Sequence, residues 1–302
     1  MHRILIDWGT TNFRAYLVDS AWTLVATHTS VDGIKASSGR YEDVLRSNVA
    51  AWVRDFPVEA IMAAGMIGSD LGWFNVPMLR CPTKAADVAA NMQRFAISGL
   101  PPLLIVPGLW SSRGEDDIGM MRGEEVLIFG AMNLLGHQQG DFCLPGTHSK
   151  WVRMRGQAVE TIETCMTGEV FDLIRTHSVL GNGMRNWDGT LIEGAFARGL
   201  ATAKTVPNPI RSLFSLRTMR IRRDCSDAEM ASYLSGLFIG TEVQSFLNEI
   251  DRCIVIVASD RLSSLYGKAA NFFGMEFERC NDAMAFIAGT RILAEQISRH
   301  PA

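Results

Sequence analysis

The chain has 302 residues, 47 % of them hydrophobic, with 29 Lys and Arg against 32 Asp and Glu for a formal net charge of −3. Such a length accommodates about two ordinary domains, each with its own core, and interspersed charges of nearly balanced sign exclude the electrostatic footprint of a nucleic-acid binder or a polyacidic tail. No run of about 18 uninterrupted apolar residues is present to span a membrane, and Cys81, Cys143, Cys165, Cys225, Cys253 and Cys280 lie too far apart for zinc or redox spacings.

The chain opens on "ILIDWGTTNFRAYLVD", residues 4–19. The short apolar segments Ile4–Asp7, Phe13–Asp19 and Leu24–Thr29, separated by Gly, Ser and Asp turn signals, predict a three-stranded antiparallel meander. A helical period follows over Tyr41–Asp55, then a strand "AIMAAG" at 60–65, a helix near 84–96 and a strand "PLLIVPG" at 102–108, giving β-β-β-α-β-α-β. A long helix is expected over about Gly123–Leu135.

After it, "DFCLPGTHSKWVRMRGQAVETIET" reads as three strands joined by two turns, so the meander starts again. Helices near 168–177, 189–203 and 226–248, the strand "CIVIVAS" at 253–259, a helix near 261–273, the strand "MEFERC" and a last helix at about 282–297 complete a second half of similar order. The expected class is α/β in two domains, 1–138 and 139–302, meeting at a hinge near 136–140, since no Pro/Gly/Ser-rich linker intervenes. The protein is expected to be soluble and cytoplasmic, with small-molecule partners, no nucleic acid or membrane, and a homodimer left open.

The two meanders place "IDWGTTNFRAYL" beside "LPGTHSKWVRM": in each, an apolar strand enters a Gly-Thr turn with small polar residues and leaves in a second strand. Exposed amides and hydroxyls at such turns cradle phosphate oxygens, and one turn from each half would grip a polyphosphate across an interdomain cleft. The expected phosphate-binding residues are Gly9, Thr10, Thr11 and Asn12 in the first turn, and Gly146, Thr147, His148, Ser149 and Lys150 in the second. Asp7, a carboxylate among phosphate donors, is repulsive unless a cation lies between, and Mg²⁺ on one or two carboxylates plus phosphates is the usual arrangement. The alternative is a cap on the backbone of Gly9 or Thr10. No P-loop and no G-x-G-x-x-G turn occurs.

In "MRGEEVLIFGAMNLLG" Glu124 and Glu125 occupy a first helical turn, where acids favour the helix dipole, or where one faces a cleft and accepts a proton from a substrate hydroxyl. Gly130 and Ala131 suit a close helix crossing. The loop "AGMIGSDLGW" at 64–73 either lines a sugar pocket or is a plain β-α connection. Met66, Ser69 and Trp73 from this loop, with Trp8, Arg122 and Glu124, are the expected substrate-binding residues.

These segments, with "VPGLW", "TCMTGEVFDLIRTHSVLG" and "LSGLFIGTEV", resemble the 2-dehydro-3-deoxygalactonokinase family in order from residue 4 to about 243. The resemblance implies a duplicated ribonuclease-H-like fold of the actin-like ATPase superfamily, closing on ATP and Mg²⁺. It implies transfer of the γ-phosphoryl group to the 6-hydroxyl of 2-dehydro-3-deoxy-D-galactonate in galactonate breakdown. By it, Asp7–Thr11 match the first phosphate loop, Gly146–Lys150 the second, the "MRGEE" helix the first connecting helix, and "DAMAFIAGTRIL" the second, with Ala288 and Gly289 at the crossing. Where the superfamily's adenosine strand ends in glycine, this chain has Ala258 and Ser259, and Gly236 and Gly240 stand on the preceding helix as residues suited to nucleotide approach. Asp7 is expected to hold the metal, Glu124 to be the base with Asp70 in reserve, and Arg122, Lys150 or Arg14 to meet the substrate carboxylate. Alternatives are a kinase for another 2-keto-3-deoxy acid, or a phosphatase or sensor of the same superfamily.

Overall fold

The structure is a computed structural model that describes residues 1–185, 187–206, 208–222, 225–250 and 253–299. Contacts divide it into two compact units: Met1–Gln139 with Val152–Glu163 and the chain from Cys280 onward, and Gly140–Trp151 with Thr164–Arg279.

The first unit begins with β1 (His2–Trp8), β2 (Phe13–Val18) and β3 (Leu24–Ser30), followed by α1 (Ile34–Ser37), α2 (Tyr41–Asp55) and β4 (Val58–Gly65). Next come β5 (Leu79–Arg80), β6 (Thr83–Lys84), α3 (Ala85–Ala90), β7 (Gln93–Phe95), β8 (Leu103–Ile105), β9 (Leu109–Ser112), β10 (Ile118–Met121) and α4 (Glu124–Leu135). Its main sheet runs β3-β2-β1-β4-β8-β7. The meander pairs antiparallel, while β1, β4 and β8 are parallel neighbours. This is the order expected of a ribonuclease-H-like half. A smaller sheet runs β10-β9-β5. Strand β1 is central and apolar on both faces, so Ile4, Ile6 and Trp8 join Phe13, Leu45, Ile61 and Ile105 in one core.

The second unit carries β11 (Gly140–Leu144) and the start of β12 (Ser149–Arg155); the rest of that hairpin, through β13 (Ala158–Cys165), is counted mostly with the first unit. Then follow α5 (Thr167–His177), α6 (Glu193–Thr205), α7 (Pro209–Arg222), α8 (Asp227–Phe246), β14 (Cys253–Ala258), α9 (Asp260–Phe273) and β15 (Glu276–Asn281). The strand order β15-β14-β11-β12 has β14 parallel to β11. The last helix, α10 (Asp282–Arg299), packs on α4 in the first unit.

That crossing is close because two glycines meet it. A Cβ built on Gly130 would lie 1.8 Å from the Ala285 carbonyl oxygen, and one on Gly289 1.9 Å from that of Val126. Sequence and structure differ in several elements. The helix expected at 84–96 ends at Ala90, where the Asn91 side chain bonds the Asp87 carbonyl and the chain turns into β7 to pair with β8. Helices α1 and α7 and strands β5, β6, β9 and β10 were not expected. Among the described residues no helix is long and apolar enough to cross a membrane.

Candidate active site

The first turn, Gly9 to Asn12, is closed by the Gly9 N–H donating to Asn12 O (2.9 Å), with Thr10, Thr11 and Asn12 exposed. It is fixed from behind by α1, whose Ile34 and Lys35 N–H groups donate to Gly9 O and Thr10 O at 3.0 and 3.2 Å. Gly33 permits that approach, since a Cβ there would lie 2.3 Å from Thr11 backbone carbon. Asp7 ends β1 beside this turn. Burial pushes its carboxyl up to about 6 against the lowering pull of Arg14, with Glu124 and Asp282 adding like charge. The Arg14 guanidinium stands 3.5 Å from both Asp7 and Asp282.

Strand β4 delivers Gly65, at φ +96°, against Trp8 and Asp7, and Gly123, at φ +104°, turns the chain into α4 directly over Gly65. Neither backbone angle suits a residue with a Cβ. At this turn the Arg122 N–H donates to Glu124 Oε2 (2.9 Å), and the Gly123 N–H to both oxygens of Glu125 (2.8 Å each). Glu125 is fully buried, and burial, then the Glu124 charge, pushes it up to about 8. Glu124 is therefore the member of the pair left in the neighbourhood of Asp7.

The other expected residues of this unit are placed unequally. Trp8 is a correction: its side chain is 0 % exposed, stacked edge-on to Phe13, with its indole N–H spent on Asp32 O (2.8 Å), so it faces core and not substrate. The Ser69 hydroxyl is likewise consumed, donating to Met66 O and accepting from the Leu71 N–H. Met66 and Trp73 are half-buried against the first core, Trp73 stacking on Phe74. Arg122 donates to Val76 O (2.8 Å), while its Nη1 is buried without a hydrogen-bond partner. Asp70 is exposed at the tip of its loop.

In the second unit, Thr147 and His148 of the second turn are exposed, and His148 pairs with Glu169 of α5. Helix α5 seals the turn from behind as α1 does the first: the Glu169 N–H donates to Thr147 O (2.9 Å), and a Cβ on Gly168 would lie 2.4 Å from Gly146 O. A Cβ on Gly146 itself would meet nothing, which leaves that face of the turn open. Ser149 and Lys150 are corrections. The Ser149 side chain is fully buried on Tyr266, and Lys150 is buried with its ammonium on Thr164 Oγ1 (3.1 Å), so neither side chain lies on the open face.

A pocket of about 350 Å³ adjoins this turn. Gly146, Gly168, Ser235 and Ser259 line it with the aromatic and apolar side chains of Phe171, Trp187, Phe238 and Leu262, and Arg261 lies over the Trp187 ring at 5.3 Å. Ser259 is thus on the pocket, whereas Ala258 is core at the end of β14. Gly240 is another correction: a Cβ there would lie 2.8 Å from Ala203 Cβ, so this glycine serves the α6–α8 crossing, as does Gly236 against Phe196 O.

The family model for 2-keto-3-deoxy-galactonokinase matches residues 7–293. The chain belongs to that family. It is 30 % identical over 297 residues to 2-dehydro-3-deoxygalactonokinase from Escherichia coli (strain K12), covering 98 % of each chain. A crystal structure from Sinorhizobium meliloti, provisionally named as the same enzyme, superposes with a TM-score of 0.90 at 29 % identity, covering 99 % of this chain and 97 % of that one. The activator of 2-hydroxyisocaproyl-CoA dehydratase from Clostridium difficile, solved with bound ADPNP, superposes at 0.53 with 10 % identity over 99 % of this chain and 97 % of that one, a likeness of fold. The fold is the actin-like ATPase and sugar-kinase type.

For this member of the 2-keto-3-deoxy-galactonokinase family, sequence reasoning found both turns but missed what holds them. Gly33 and Gly168 follow Gly9 and Gly146 at a similar interval, and each opens the helix that seals its turn. That repeated interval was the available signal. Asp282 and the pocket residues Phe171, Trp187, Phe238 and Arg261 carry no local signal, since they meet their partners only through the tertiary fold.

Proposed function

We propose that the chain is an ATP-dependent kinase that phosphorylates the 6-hydroxyl of 2-dehydro-3-deoxy-D-galactonate. Family membership supports the sugar acid as acceptor. The observation that carries the donor is that Gly146 belongs both to the open turn and to the wall of the aromatic pocket. A purine stacks well on such a wall, and its phosphates would then lie at exposed amides of the turn.

Phosphoryl transfer asks the protein mainly to position reactants and neutralise charge. The exposed backbone of Gly9–Asn12 and of Gly146–His148 is read here as taking phosphate oxygens. Glu124 is read as the base that accepts the hydroxyl proton as the acceptor oxygen attacks the γ-phosphorus and the bond to ADP breaks. Among the described residues no group of three or more His, Cys, Asp or Glu is arranged to hold a metal ion. Mg²⁺ needs fewer, because phosphates and water complete its shell. Asp7, a carboxylate raised by burial and by neighbouring acids, fits that requirement and would hold the ion, which neutralises phosphate charge when bound. Arg122 and Arg14 are the remaining candidates for the substrate carboxylate. The halves 1–138 and 139–302 are read as the two ribonuclease-H-like domains, in a cytoplasmic enzyme without nucleic-acid or membrane partners.

A coupled ADP-release assay across galactonate-, gluconate- and fuconate-derived 2-keto-3-deoxy acids, with phosphorus NMR on the product, tests the reading. Release is expected to depend on the acid, to be fastest with the galactonate derivative, and to yield a phosphate ester at C6. Release at the same rate without any acid would instead indicate a phosphatase, and no release at all would sink the proposal.

A further inference from the structure

Behind the second turn the fold buries a carboxylate that the reaction does not use. Glu242 of α8 is 4 % exposed. Its Oε1 accepts from the Trp151 indole N–H (2.8 Å) and its Oε2 from the Tyr266 hydroxyl (2.7 Å). The Thr167 hydroxyl also bonds it and, with the Tyr266 and Trp151 donors, opposes the rise that burial gives its carboxyl. Three donors take up most of the roughly four lone-pair directions of a carboxylate. The Tyr266 proton goes to Glu242, so at the 3.0 Å contact between Tyr266 and Ser149 it is Ser149 that donates.

What matters is where these donors stand in the chain. Ser149 and Trp151 are alternate residues on one face of β12, the strand that leaves the Gly146–His148 turn. Thr167 is the first residue of α5, and the next two residues, Gly168 and Glu169, press on that turn from behind. Tyr266 is on α9 and, with Thr167, forms part of the pocket wall. One side chain therefore gathers the strand leaving the turn, the helix sealing it, and the pocket wall. A hydrophobic residue would fill the space without fixing two hydroxyls and an indole directly, and the Ser149 hydroxyl through Tyr266, and burial of the carboxyl is tolerable because both its oxygens accept hydrogen bonds.

We infer that Glu242 is a positioning residue for the phosphoryl donor: it sets the geometry of the second turn through Trp151 and Thr167, and through Tyr266 that of Ser149 and of the nucleoside pocket. The inference rests on reading that turn as the donor's phosphate site, and two sets of variants separate the two ideas. Gly146→Val probes the turn, because a Cβ there meets nothing in the fold and Gly146 lines the pocket. Glu242→Gln keeps the shape but turns an amide N–H₂ toward donors; Tyr266→Phe and Ser149→Ala remove single hydroxyls should the glutamine variant fold poorly.

KM for ATP, KM for the sugar acid, kcat, and the Kd of ADP measured by calorimetry without sugar acid are the readouts on the full chain. Glu242→Gln is expected to raise KM for ATP and Kd for ADP about tenfold, the scale of one misplaced buried hydrogen bond, and the hydroxyl deletions by a smaller factor. KM for the sugar acid stays within about twofold. Glu242→Asp, which keeps the charge on a shorter arm, is expected to restore part of the ADP affinity. If Gly146→Val leaves nucleotide affinity unchanged, the turn reading fails and this inference with it. If Gly146→Val weakens ATP but the Glu242, Tyr266 and Ser149 variants do not, or if both KM values rise together with falling Tm, Glu242 is ordinary core structure.

Discussion

Glu125 shows how one residue's environment fixes its chemistry. Its folded carboxyl is raised from 4.5 to about 8, by burial first and the Glu124 charge second, so the folded chain holds a proton there that the unfolded chain has released. Where the folded state binds more protons, stability falls as pH rises; this contribution is fully present below about 4.5 and is lost by about 8. Glu125→Gln removes the titration while keeping an acceptor for the Gly123 N–H. Thermal melts from pH 5 to pH 8.5 should show the wild type losing Tm relative to the variant, and parallel curves would contradict the burial argument. Glu124, one position earlier, behaves differently. If Glu124 is the base, as proposed, Glu124→Gln should lower kcat by about 10²- to 10⁴-fold while the sugar acid still binds, and near-normal turnover would end that assignment. The two acids were legible only as a pair, because sequence marks a helix first turn but not which carboxylate the Gly123 turn captures. Trp8 was misread for a related reason: an aromatic beside a functional acid looks like a site residue until strand alternation sends it inward.

At the scale of elements, what the sequence revealed tracks how each element is stabilised. The meanders, α2, α4 and α9 have clear periodicity and were placed within a few residues. Helix α7 turns Leu213, Leu216 and Met219 to a core but leaves Ile210, Phe214 and Ile221 exposed, so its apolar residues lie on more than one face and the periodicity is blurred. Strands β9 and β10 are four residues each and exist through their partners, Gly119 lying where a Cβ would come within 1.7 Å of Ile162 O. The α4–α10 crossing, by contrast, was visible as Gly130 and Gly289. Gly130→Ala should cost about 1–3 kcal/mol, typical of overpacking a tight contact, seen as a lower urea midpoint. Loss of activity without that shift would mean that the crossing tolerates the methyl and that the helix acts otherwise. Gly33→Ala and Gly168→Ala offer the complementary case. Each would push its sealing helix off a turn, and ADP affinity is expected to fall with Gly168→Ala, since the second turn and the pocket belong to the same unit.

Across the whole molecule, one device occurs twice: a strand, an open Gly-Thr turn, two further strands, and a glycine that lets the next helix close behind the turn. The halves then diverge in what surrounds the turn. The first has Asp7 with the like charges of Glu124 and Asp282 near it and Arg14 against Asp7 and Asp282, while the second has an aromatic pocket beside its turn. Duplicated scaffolds with unlike surroundings are the expected basis for binding two unlike substrates, because on the proposed reading each turn offers the same backbone to phosphate and only the added side chains select the rest. Hydrogen exchange on the full chain with one ligand at a time tests this division. ADP alone should slow exchange at 146–149, 167–171, 235–239 and 259–266, and leave 65–73 and 122–125 at their free rates. The sugar acid alone should do the reverse. Protection of the first set by the sugar acid, or of the second by ADP, would show that the aromatic pocket and the acidic cluster do not divide donor from acceptor as their chemistry implies.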